Sequence, residues 1–600
     1  MQQRKPKACA GEEIPVSQGA MPCDGWPEAA TEGARLEHWP LPRKKRLALD
    51  NKRWNTVVNV VLVAFVMAVP PVVVIYAGGG IAPAVWIAAA KVQLSGGSGN
   101  NHRSFPYSTS PPDKLLGGLL PDGLHERSCR SRYESTMYRR NPGRRPSPHL
   151  ISKLRKHEEL QRRCGPNTDA YSLAIQQLRA GKSSAAAGSP AECKYVVSIS
   201  YRGLGNRILA AASAFMYALL TDRVLLVDPS NEMGDLFCEP FPGTTWLLPL
   251  DGFPLPSYTN FSIDTAESYG NMLRNRVLSA GAGAPVTPAA ELPAFAYLHL
   301  DHDYAHEDKM FFCDDDQRLL SSVQWLVMRT DLYTVPGLFL VEAFREELDA
   351  LFPERDAAFH HLARYLFHPT NHVWGLVTRY YRAYLARADL RVGIQVRNFN
   401  PTHAQSPHVL RQITSCVWRE KLLPEVVLAT EEPHDATAAA ARSTAVLMTS
   451  LRPWFYERIK GMYWEHGTAT GEDVSVHQPS HEGQQQFGKR SHDGRAWAEM
   501  YLLSLCDVLV TSGWSTFGYV AQGIGGLAPW VLQKQPENLT AAPDPPCFRD
   551  VSMEPCFHSP HVYDCKMKRG LDTGKVLPHV RHCQDVSWGL KLVDPELYKP

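Results

Sequence analysis

The amino-acid sequence predicts an α/β protein in which two αβ halves face each other across a ligand cleft, preceded by one membrane-spanning segment. Three observations support this fold class: a strand, glycine-rich turn and helix pattern within residues 195–227, a second series of strands and helices from Arg391, and a run without charged side chains from Trp54 to Ala90. In open αβ sheets, ligands bind beyond the carboxyl ends of the strands. We therefore expect a binding site where the strand ends of the two halves meet.

Length, charge and cysteine content narrow the class of protein. A chain of 600 residues is too long for one hydrophobic core, and a net charge of +2 gives no reason to expect a nucleic-acid partner. Eleven of the 13 cysteines follow the apolar run, and no CxxC pair occurs. This pattern favours disulfides in an oxidising compartment over zinc sites, with reduced core cysteines as the alternative. Because eleven is odd, one thiol should stay free, and we expect it to be Cys506.

The N-terminal 112 residues predict a membrane anchor. Residues 1–55 are polar and aperiodic and are expected to be a disordered cytoplasmic tail, which ends in basic clusters. Residues 56–77 are long enough to cross a bilayer, since about 20 apolar residues suffice. The preceding basic residues predict a single-pass type II orientation, with residues 78–112 as a Gly-, Ser- and Pro-rich stem. A cleaved signal peptide and a buried core helix are the alternatives. Glycosylation triplets at Asn260 and Asn538 lie on the expected lumenal side.

The first αβ domain is assigned to residues 113–388. A strand at Tyr195–Ser200 is followed by a glycine-rich turn, Arg202-Gly203-Leu204-Gly205-Asn206-Arg207, a helix at Ile208–Leu220 and a strand at Arg223–Val227. Gly203 and Gly205 permit a positive φ and the close approach of a ligand, and Asn206 can cap the helix or touch that ligand. A tight turn without a ligand explains the same residues, so this motif alone is weak.

The second αβ domain, residues 389–600, carries the clearest binding pattern. An apolar strand from Arg391 ends on the cation Arg397, and a strand at Val508–Thr511 ends at a hydroxyl- and glycine-rich turn. A helix that restarts after such a turn offers backbone N–H groups to an anion, and an arginine supplies a planar fork for phosphate oxygens. Together they predict a pyrophosphate site, although a surface cation and an ordinary helix cap explain each part separately. The residues expected at this site are Arg397, Ser515, Thr516, Phe517, Gly518 and Tyr519.

A metal-dependent reaction is the weaker expectation. Asp301-His302-Asp303 has the DxD form that can hold a divalent cation, but acidic pairs are common. Neither HExxH nor GxSxG occurs, so a zinc hydrolase or a serine hydrolase of that type is not indicated. We expect no metal and no bound cofactor.

Long segments of the sequence resemble the plant xyloglucan-type fucosyltransferases. The resemblance runs from about Leu115 to Asp594 and is carried by these segments: YVVSISYRGLGNRIL, LVDPSNEMGDLFCEPFPGTTWLLP, MRTDLYTVPGLFL, VGIQVR, VHQPSHEGQQQ, AEMYLLSLCDVLVTSGWSTFGYVAQGIGGLAPW, DPPCFRDVSMEPCFHSPHVYDC and VRHCQDVSWGLKLVD. The family implies a GT-B-like fold of two Rossmann-like domains, residence in the Golgi membrane, and metal-independent transfer of L-fucose from GDP-fucose to a 2-hydroxyl with inversion.

The resemblance also implies roles for particular residues. Arg397 is expected to bind the GDP pyrophosphate, with Asn206 and its neighbours Gly203, Gly205 and Arg207 facing the donor. The loop Trp514–Tyr519 is expected to complete the donor pocket. Asp331 matches an acidic site residue and is our first candidate for the general base, ahead of Asp585 and Asp594. The chain departs from the family pattern directly after Arg397, and its stretches 181–189 and 280–291 are longer than usual.

The acceptor is the most open part of the sequence-based interpretation. Galactose on a xyloglucan side chain is the first choice and an arabinogalactan-protein glycan the second. A protein O-fucosyltransferase and a non-catalytic glycan-binding scaffold are alternatives, and a homodimer is possible. Aromatic side chains in the first half offer faces for sugar stacking, although most are expected in the core: Trp246, Phe253, Tyr258, Trp325, Tyr333 and Trp374.

Overall fold

The structure is a computed structural model that describes residues 113–140, 143–181, 193–280, 287–288, 291–398, 405–427, 442–534 and 543–596. The predicted tail, membrane span and stem lie outside these residues. So do Asn538 and most of the two long stretches at 181–189 and 280–291.

The first half is built on a four-stranded parallel sheet. Its strands are β1 (Tyr195–Ser198), β2 (Val224–Val227), β3 (Phe295–His299) and β4 (Trp325–Arg329), in the order β2-β1-β4-β3. β1 and β4 are neighbours in register, with Ser198 opposite Met328. Their apolar side chains are buried on both faces, which is typical of a parallel sheet covered by helices. The loops after β1 and β4 therefore leave the same edge side by side.

The second half is built on a six-stranded sheet. Its strands are β5 (Leu390–Gln395), β6 (Ser443–Thr449), β7 (Asp473–His477), β8 (Val508–Ser512), β9 (Trp530–Leu532) and β10 (Phe548–Arg549), in the order β10-β9-β8-β5-β6-β7. All pairs are parallel except the edge pair β9–β10. The chain leaves β5 towards β6 on one side and leaves β8 towards β9 on the other. This reversal between adjacent strands creates the crevice where such sheets bind ligands.

Helices cover both sheets, and two short antiparallel pairs complete the second half. These pairs are β11 (Tyr563–Asp564) with β12 (Arg569–Gly570) and β13 (Val580–His582) with β14 (Leu590–Leu592). The α-helices of the described residues are α1 (Arg130–Glu134), α2 (Pro148–Cys164), α3 (Asp169–Arg179), α4 (Leu204–Thr221), α5 (Met233–Leu236), α6 (Tyr269–Arg274), α7 (His306–Lys309), α8 (Asp314–Ser321), α9 (Val335–Leu338), α10 (Arg345–Leu351), α11 (Ala358–Leu366), α12 (Asn371–Tyr380), α13 (Pro407–Arg419), α14 (Trp454–Glu465), α15 (Arg490–Leu503) and α16 (Thr516–Gly525).

Helix α4 lies at the centre of the molecule. It is apolar on nearly all sides, which is the pattern of a helix buried in a core. Among the described residues it is also the one helix long and apolar enough to span a membrane, but 83% of that window is buried inside the protein. Its side chains share one hydrophobic core with both sheets and with α11, α15 and α16. The two halves are thus joined by a continuous apolar interior.

Five disulfides link cysteines that follow the apolar run of the sequence. The pairs are Cys129–Cys238, Cys164–Cys193, Cys313–Cys565, Cys416–Cys547 and Cys556–Cys583. Cys506 remains free and buried, which confirms the prediction of one unpaired thiol. The Cys313–Cys565 bond connects the first half of the chain to its C-terminal region.

Two predicted elements differ from the structure. The glycine-rich turn is shorter than expected, because α4 already begins at Leu204 and includes Gly205, Asn206 and Arg207. Residues 359–388 have a helical, aromatic-rich sequence pattern, but the helix is broken at His368-Pro369, since proline lacks the N–H that a continuing helix needs. It continues as α12 and then as a π-helix at Tyr381–Leu385.

Candidate active site

The second sheet places Arg397 at its crevice. Arg397 follows the last residue of β5 by two positions, and β8 ends beside it at Ser512. The backbone N–H of Arg397 donates to Ser512 Oγ at 2.9 Å, and the N–H of Ser512 donates to Gln395 Oε1 at 3.2 Å. These bonds fix the two strand ends against each other and hold the Arg397 main chain in place.

The Arg397 side chain is partly buried and reaches a third loop. Its Nη2 donates to Gln485 Oε1 at 3.4 Å, and Gln485 lies in the segment between β7 and α15. Burial lowers the pKa of the guanidinium, but an arginine remains protonated at any physiological pH. A partly desolvated planar cation of this kind is suited to bind phosphate oxygens. Sequence reasoning missed Gln485, whose only signal was its place in a segment shared with the family.

Helix α16 begins directly beside this arginine. Ser515 occupies its N-cap position and is buried, but no side chain accepts a capping hydrogen bond there. The first backbone N–H groups of a helix have no intrahelical partner, and they attract an anion when no side chain satisfies them. Gly518 in this turn lies against Thr511 of β8, where an added Cβ would come within 3.0 Å of the Thr511 Cβ. The helix start therefore packs tightly on the strand end next to Arg397.

The N-terminus of α4 faces the N-terminus of α16 across the two halves. A Cβ on Gly205 would lie 2.7 Å from Thr516 Oγ1 and 2.9 Å from the Thr516 carbonyl carbon, closer than real side chains come. A Cβ on Gly203 would lie 2.6 Å from Gln485 Nε2. The glycines are thus needed for close approach between the halves, and not for the positive φ that the sequence suggested, since neither glycine adopts one.

Asn206 connects the two helix starts to the acidic side of the cleft. Its Oδ1 accepts a hydrogen bond from Thr516 Oγ1 at 3.1 Å, and its Nδ2 donates to the backbone carbonyl of Asp331 at 2.9 Å. Asp331 is two residues beyond the end of β4, which neighbours β1. Sequence-predicted residues from three separate segments are therefore brought together at one place.

The Asp331 carboxylate lies in a cluster of opposite charges at the edge of the first sheet. Its Oδ2 is 3.3 Å from Arg202 Nε and 3.2 Å from His302 Nδ1. The same His302 nitrogen lies 3.2 Å from Asp301 Oδ1. Burial raises the pKa of Asp331 to about 6, and the nearby Asp301 carboxyl acts in the same direction. Hydrogen bonds to Asp301 and Asp331 raise the pKa of His302 to about 10, so this imidazole is charged at neutral pH.

The predicted DxD residues contact basic side chains of the protein. Burial alone would raise the pKa of Asp301, but hydrogen bonds with His302 and Asp331 outweigh it and hold the pKa below its ordinary value. Asp301 Oδ2 also lies 3.4 Å from Arg329 Nε, and Asp303 Oδ1 lies 2.8 Å from His299 Nε2. Two sets of side chains are spaced closely enough to hold a cation: His299, Asp301 and Asp303, and Asp301, His302 and Asp331. Independence from metal stays a prediction.

Three predicted site residues have supporting positions instead. Arg207 is 1% exposed, and its guanidinium pairs with Asp493 at 2.6 Å and donates to the carbonyl of Asn231 at 2.5 Å, so it cannot face a donor in this arrangement. Tyr519 is buried beneath the turn, and its hydroxyl donates to Asp585. Phe517 packs against the common core.

Asp585 and Asp594, the other candidates for the general base, differ in position. The Asp585 carboxylate accepts a hydrogen bond from the Trp514 backbone N–H at 3.1 Å as well as the bond from Tyr519, so it braces the turn before α16. Asp594 accepts a hydrogen bond from the backbone N–H of Glu596 at 2.9 Å and lies near Asp356. Among the described contacts, none joins Asp594 to Arg397 or Asp331.

The aromatic residues proposed for sugar stacking belong to the interior. All six are buried, as was expected for most of them. Trp325, for example, stacks on Tyr195 of the neighbouring strand with ring centroids 4.0 Å apart. Aromatic contacts to a glycan must therefore come from other residues.

Comparisons with known proteins agree with this geometry. A galactoside 2-alpha-L-fucosyltransferase of Pisum sativum is 54% identical over 80% of this chain and 82% of its own length. The protein of the same name from Arabidopsis thaliana is 55% identical over 82% of this chain and 85% of its own length. The solved structure of an Arabidopsis thaliana FUT1 variant in complex with GDP superimposes with a TM-score of 0.72, at 54% identity, over 80% of this chain and all of that one.

The family assignment follows from the extent of these matches. The family described as xyloglucan fucosyltransferase matches residues 88–566, which include both sheets and every residue of the Arg397 and Asp331 clusters. The shared GT-B-like α/β architecture agrees with the two parallel sheets that meet at their strand ends. The chain belongs to the xyloglucan fucosyltransferase family and is a glycosyltransferase.

Proposed function

We propose that this fucosyltransferase moves L-fucose from GDP-fucose, with inversion, to the 2-hydroxyl of a terminal galactose on xyloglucan side chains. The observation that carries the proposal is the pairing of Arg397 with the uncapped start of α16 at the crevice of the second sheet. The names of the relatives, galactoside 2-alpha-L-fucosyltransferase, and the GDP bound to the Arabidopsis structure support the choice of donor and linkage.

Arg397 and the α16 N-terminus would stabilise the leaving group. Breaking the glycosyl–phosphate bond places negative charge on GDP, and fixed donors aimed at that charge lower the barrier most in a site with little water. Arg397 is held by Ser512 and Gln485, so its fork needs little reorganisation during the reaction. We propose that these groups replace a metal ion, and that no cofactor takes part.

Asp331 would accept the proton of the acceptor hydroxyl. Its raised pKa lies close to neutral, where a general base combines sufficient basicity with a large ionised fraction. Arg202 and His302 contact the same carboxylate oxygen and would act as positioning residues. Asp331 is preferred over Asp585, which is committed to the Trp514 turn, and over Asp594, which has no described contact with the cluster.

The protein is proposed to reside in the Golgi membrane as a single-pass type II protein. Support comes from the charge-free run at 56–77, the basic residues before it, and the five disulfides, which need an oxidising compartment. Asn260 of the first glycosylation triplet is exposed, as a modified side chain must be. Protease protection of the C-terminus in intact vesicles, together with N-glycans on the protected protein, tests this orientation.

Arg397→Ala and Arg397→Lys test the donor site. Loss of a charge-assisted phosphate contact costs a few kcal/mol, so we expect a reduction of about a hundredfold or more in kcat/KM with GDP-fucose for the alanine variant. Lysine should not rescue it, because a point charge replaces a bidentate fork. Arg569→Ala, at an exposed position on β12, is the control. Near-normal GDP affinity and turnover in Arg397→Ala would reject the assignment.

The acceptor is decided by a panel of glycans. Purified lumenal domain is offered labelled GDP-fucose with galactosylated xyloglucan oligosaccharide or with arabinogalactan. Transfer to the xyloglucan oligosaccharide is expected. Transfer to arabinogalactan alone would replace the acceptor and leave the reaction standing, whereas GDP binding with transfer to neither would point to a peptide acceptor or to a non-catalytic scaffold.

A further inference from the structure

Trp588 is an exposed tryptophan beside the turn that precedes α16. It lies in the loop between β13 and β14, and 54% of its surface is accessible. Among the other described tryptophans, Trp464 on α14 is also exposed, at 83%. An exposed indole next to a binding crevice is in a position to offer its apolar face to a ligand.

The loop that carries Trp588 is held rigidly. The disulfide Cys556–Cys583 fixes its beginning, and Val586 in its middle is buried in the common core. The backbone N–H of Gly589 donates to the carbonyl of Val586 at 2.8 Å, which closes the turn around Trp588. A tryptophan has only two side-chain torsions, so its presentation from a fixed loop costs little entropy on binding.

The same loop is bonded to the turn that precedes α16. The indole N–H of Trp514 donates to the backbone carbonyl of Asp585 at 2.8 Å, and its ring lies edge-on to Trp588 with centroids 5.4 Å apart. Lys534, after β9, places its Nζ 4.4 Å from the Trp514 ring centroid. Trp588, Trp514 and Lys534 thus form a continuous surface, which we name the tryptophan platform.

Trp514 has a strained backbone that supports a functional role for the platform. Its φ is +62°, a conformation that costs a non-glycine residue about 1 kcal/mol or more and that persists mainly at binding and catalytic sites. Trp514 is two residues from Ser512, the partner of Arg397. The platform therefore starts at the diphosphate site and extends towards β9, away from the β6 side of the sheet.

We propose that the tryptophan platform is a subsite for the acceptor glycan, in which Trp588 stacks on a sugar ring next to the galactose that receives fucose. This inference rests on the proposed function. A sugar ring offers an apolar C–H face to an aromatic ring and hydroxyls to a neighbouring charged group, and Lys534, which lies over the Trp514 ring, supplies such a group. The six aromatics of the first half are buried and leave no face for a sugar, whereas Trp588 beside the described crevice is exposed.

The test compares Trp588→Ala with the matched control Trp464→Ala. The acceptors are a galactosylated xyloglucan oligosaccharide and methyl β-galactoside, which has no second sugar ring. For Trp588→Ala we expect KM for the oligosaccharide to rise about tenfold, with kcat, the methyl galactoside kinetics and the Kd for GDP unchanged. Trp588→Phe, which keeps an aromatic face, should recover most of the loss, and Trp464→Ala should match the wild type.

Other outcomes would overturn the proposal. An equal loss with both acceptors would mean that Trp588 only supports the loop, and an unchanged oligosaccharide KM would mean that no sugar stacks there. A weakened Kd for GDP would show that the platform holds the nucleotide base instead. If the wild type transfers fucose to no glycan, the proposed function fails, and saturation-transfer NMR of oligosaccharide binding to wild type and Trp588→Ala then tests the platform separately.

Discussion

Substitution of Gly205 by alanine tests whether close approach of the two halves builds the donor site. The added Cβ would lie 2.9 Å from the carbonyl carbon of Thr516, where non-bonded carbons prefer about 3.5 Å or more. The obstacle is backbone at the start of α16, and rotation of a side chain cannot relieve it. One helix start must therefore move by about 0.6 Å, the difference between the preferred and the available distance.

Two opposing effects set the expected size of the change. Alanine favours a helix over glycine by about 0.8 kcal/mol, whereas overpacking a close contact costs about 1–3 kcal/mol. We expect a net decrease of about 1 kcal/mol in the free energy of unfolding. Activity should suffer more, because a misplacement of 1 Å near a reacting centre costs about a hundredfold in rate. For 0.6 Å we expect a decrease of about tenfold in kcat/KM.

The assay measures kcat/KM with GDP-fucose, the Kd for GDP and unfolding in urea on the same preparations. Gly467→Ala is the matched control, because a Cβ at this exposed glycine has nothing within 4 Å and its φ is not positive. The control should match the wild type in all three measurements. Wild-type GDP affinity and turnover in Gly205→Ala would refute the view that contact between the α4 and α16 starts shapes the donor site.

Three further predictions concern the acid cluster, the buried ion pair and metal. Burial raises the pKa of Asp331 to about 6, so its ionised form is lost as pH falls through that value and kcat/KM should drop below about pH 6. Asp331→Asn should lower the rate by about a hundredfold or more and abolish this acidic fall in the pH–rate profile. If the fall persists in the variant, it belongs to another group. Arg207→Met leaves Asp493 buried without its partner and should lower the free energy of unfolding by about 3–5 kcal/mol in urea denaturation. The double variant Arg207→Met/Asp493→Leu should recover this stability. An unchanged free energy of unfolding in Arg207→Met would contradict the structural role of the ion pair. Chelation by EDTA should leave most activity, and Asp303→Asn, at an exposed carboxylate, should be tolerated; activity lost in EDTA and restored by manganese would establish a metal site there.

Local sequence signals were sufficient to predict that Arg397 and the turn before α16 lie side by side. The strand before Arg397 and the strand before Ser512 are short apolar runs, and runs buried on both faces are typical of parallel sheets. A cation and a hydroxyl-rich turn at their ends then fall at one edge, because neighbouring parallel strands end together. Their adjacency in the structure follows from the pairing of β5 with β8.

Contacts between distant residues could not be predicted in the same way. Arg207 follows a glycine-rich turn and looks like a ligand residue, but its partner Asp493 lies 286 positions away. Gln485 carries no motif, and its contact with Arg397 arises only when the segment after β7 folds back over the crevice. Residue type and spacing describe one segment at a time, whereas these roles depend on how two halves pack.

The contacts of Asn206 explain why the donor site requires both halves. The side chain accepts from Thr516 at the first residue of α16 and donates to the carbonyl of Asp331. The groups that would bind the diphosphate and the carboxylate that would take the acceptor proton are therefore linked through one amide. In-line displacement requires the attacking oxygen, the sugar carbon and the leaving phosphate to be aligned within a fraction of an ångström. If the two αβ halves contributed donor and acceptor groups without contact between them, their relative motion would disturb that alignment. The Asn206 amide and the shared core around α4 restrict this motion.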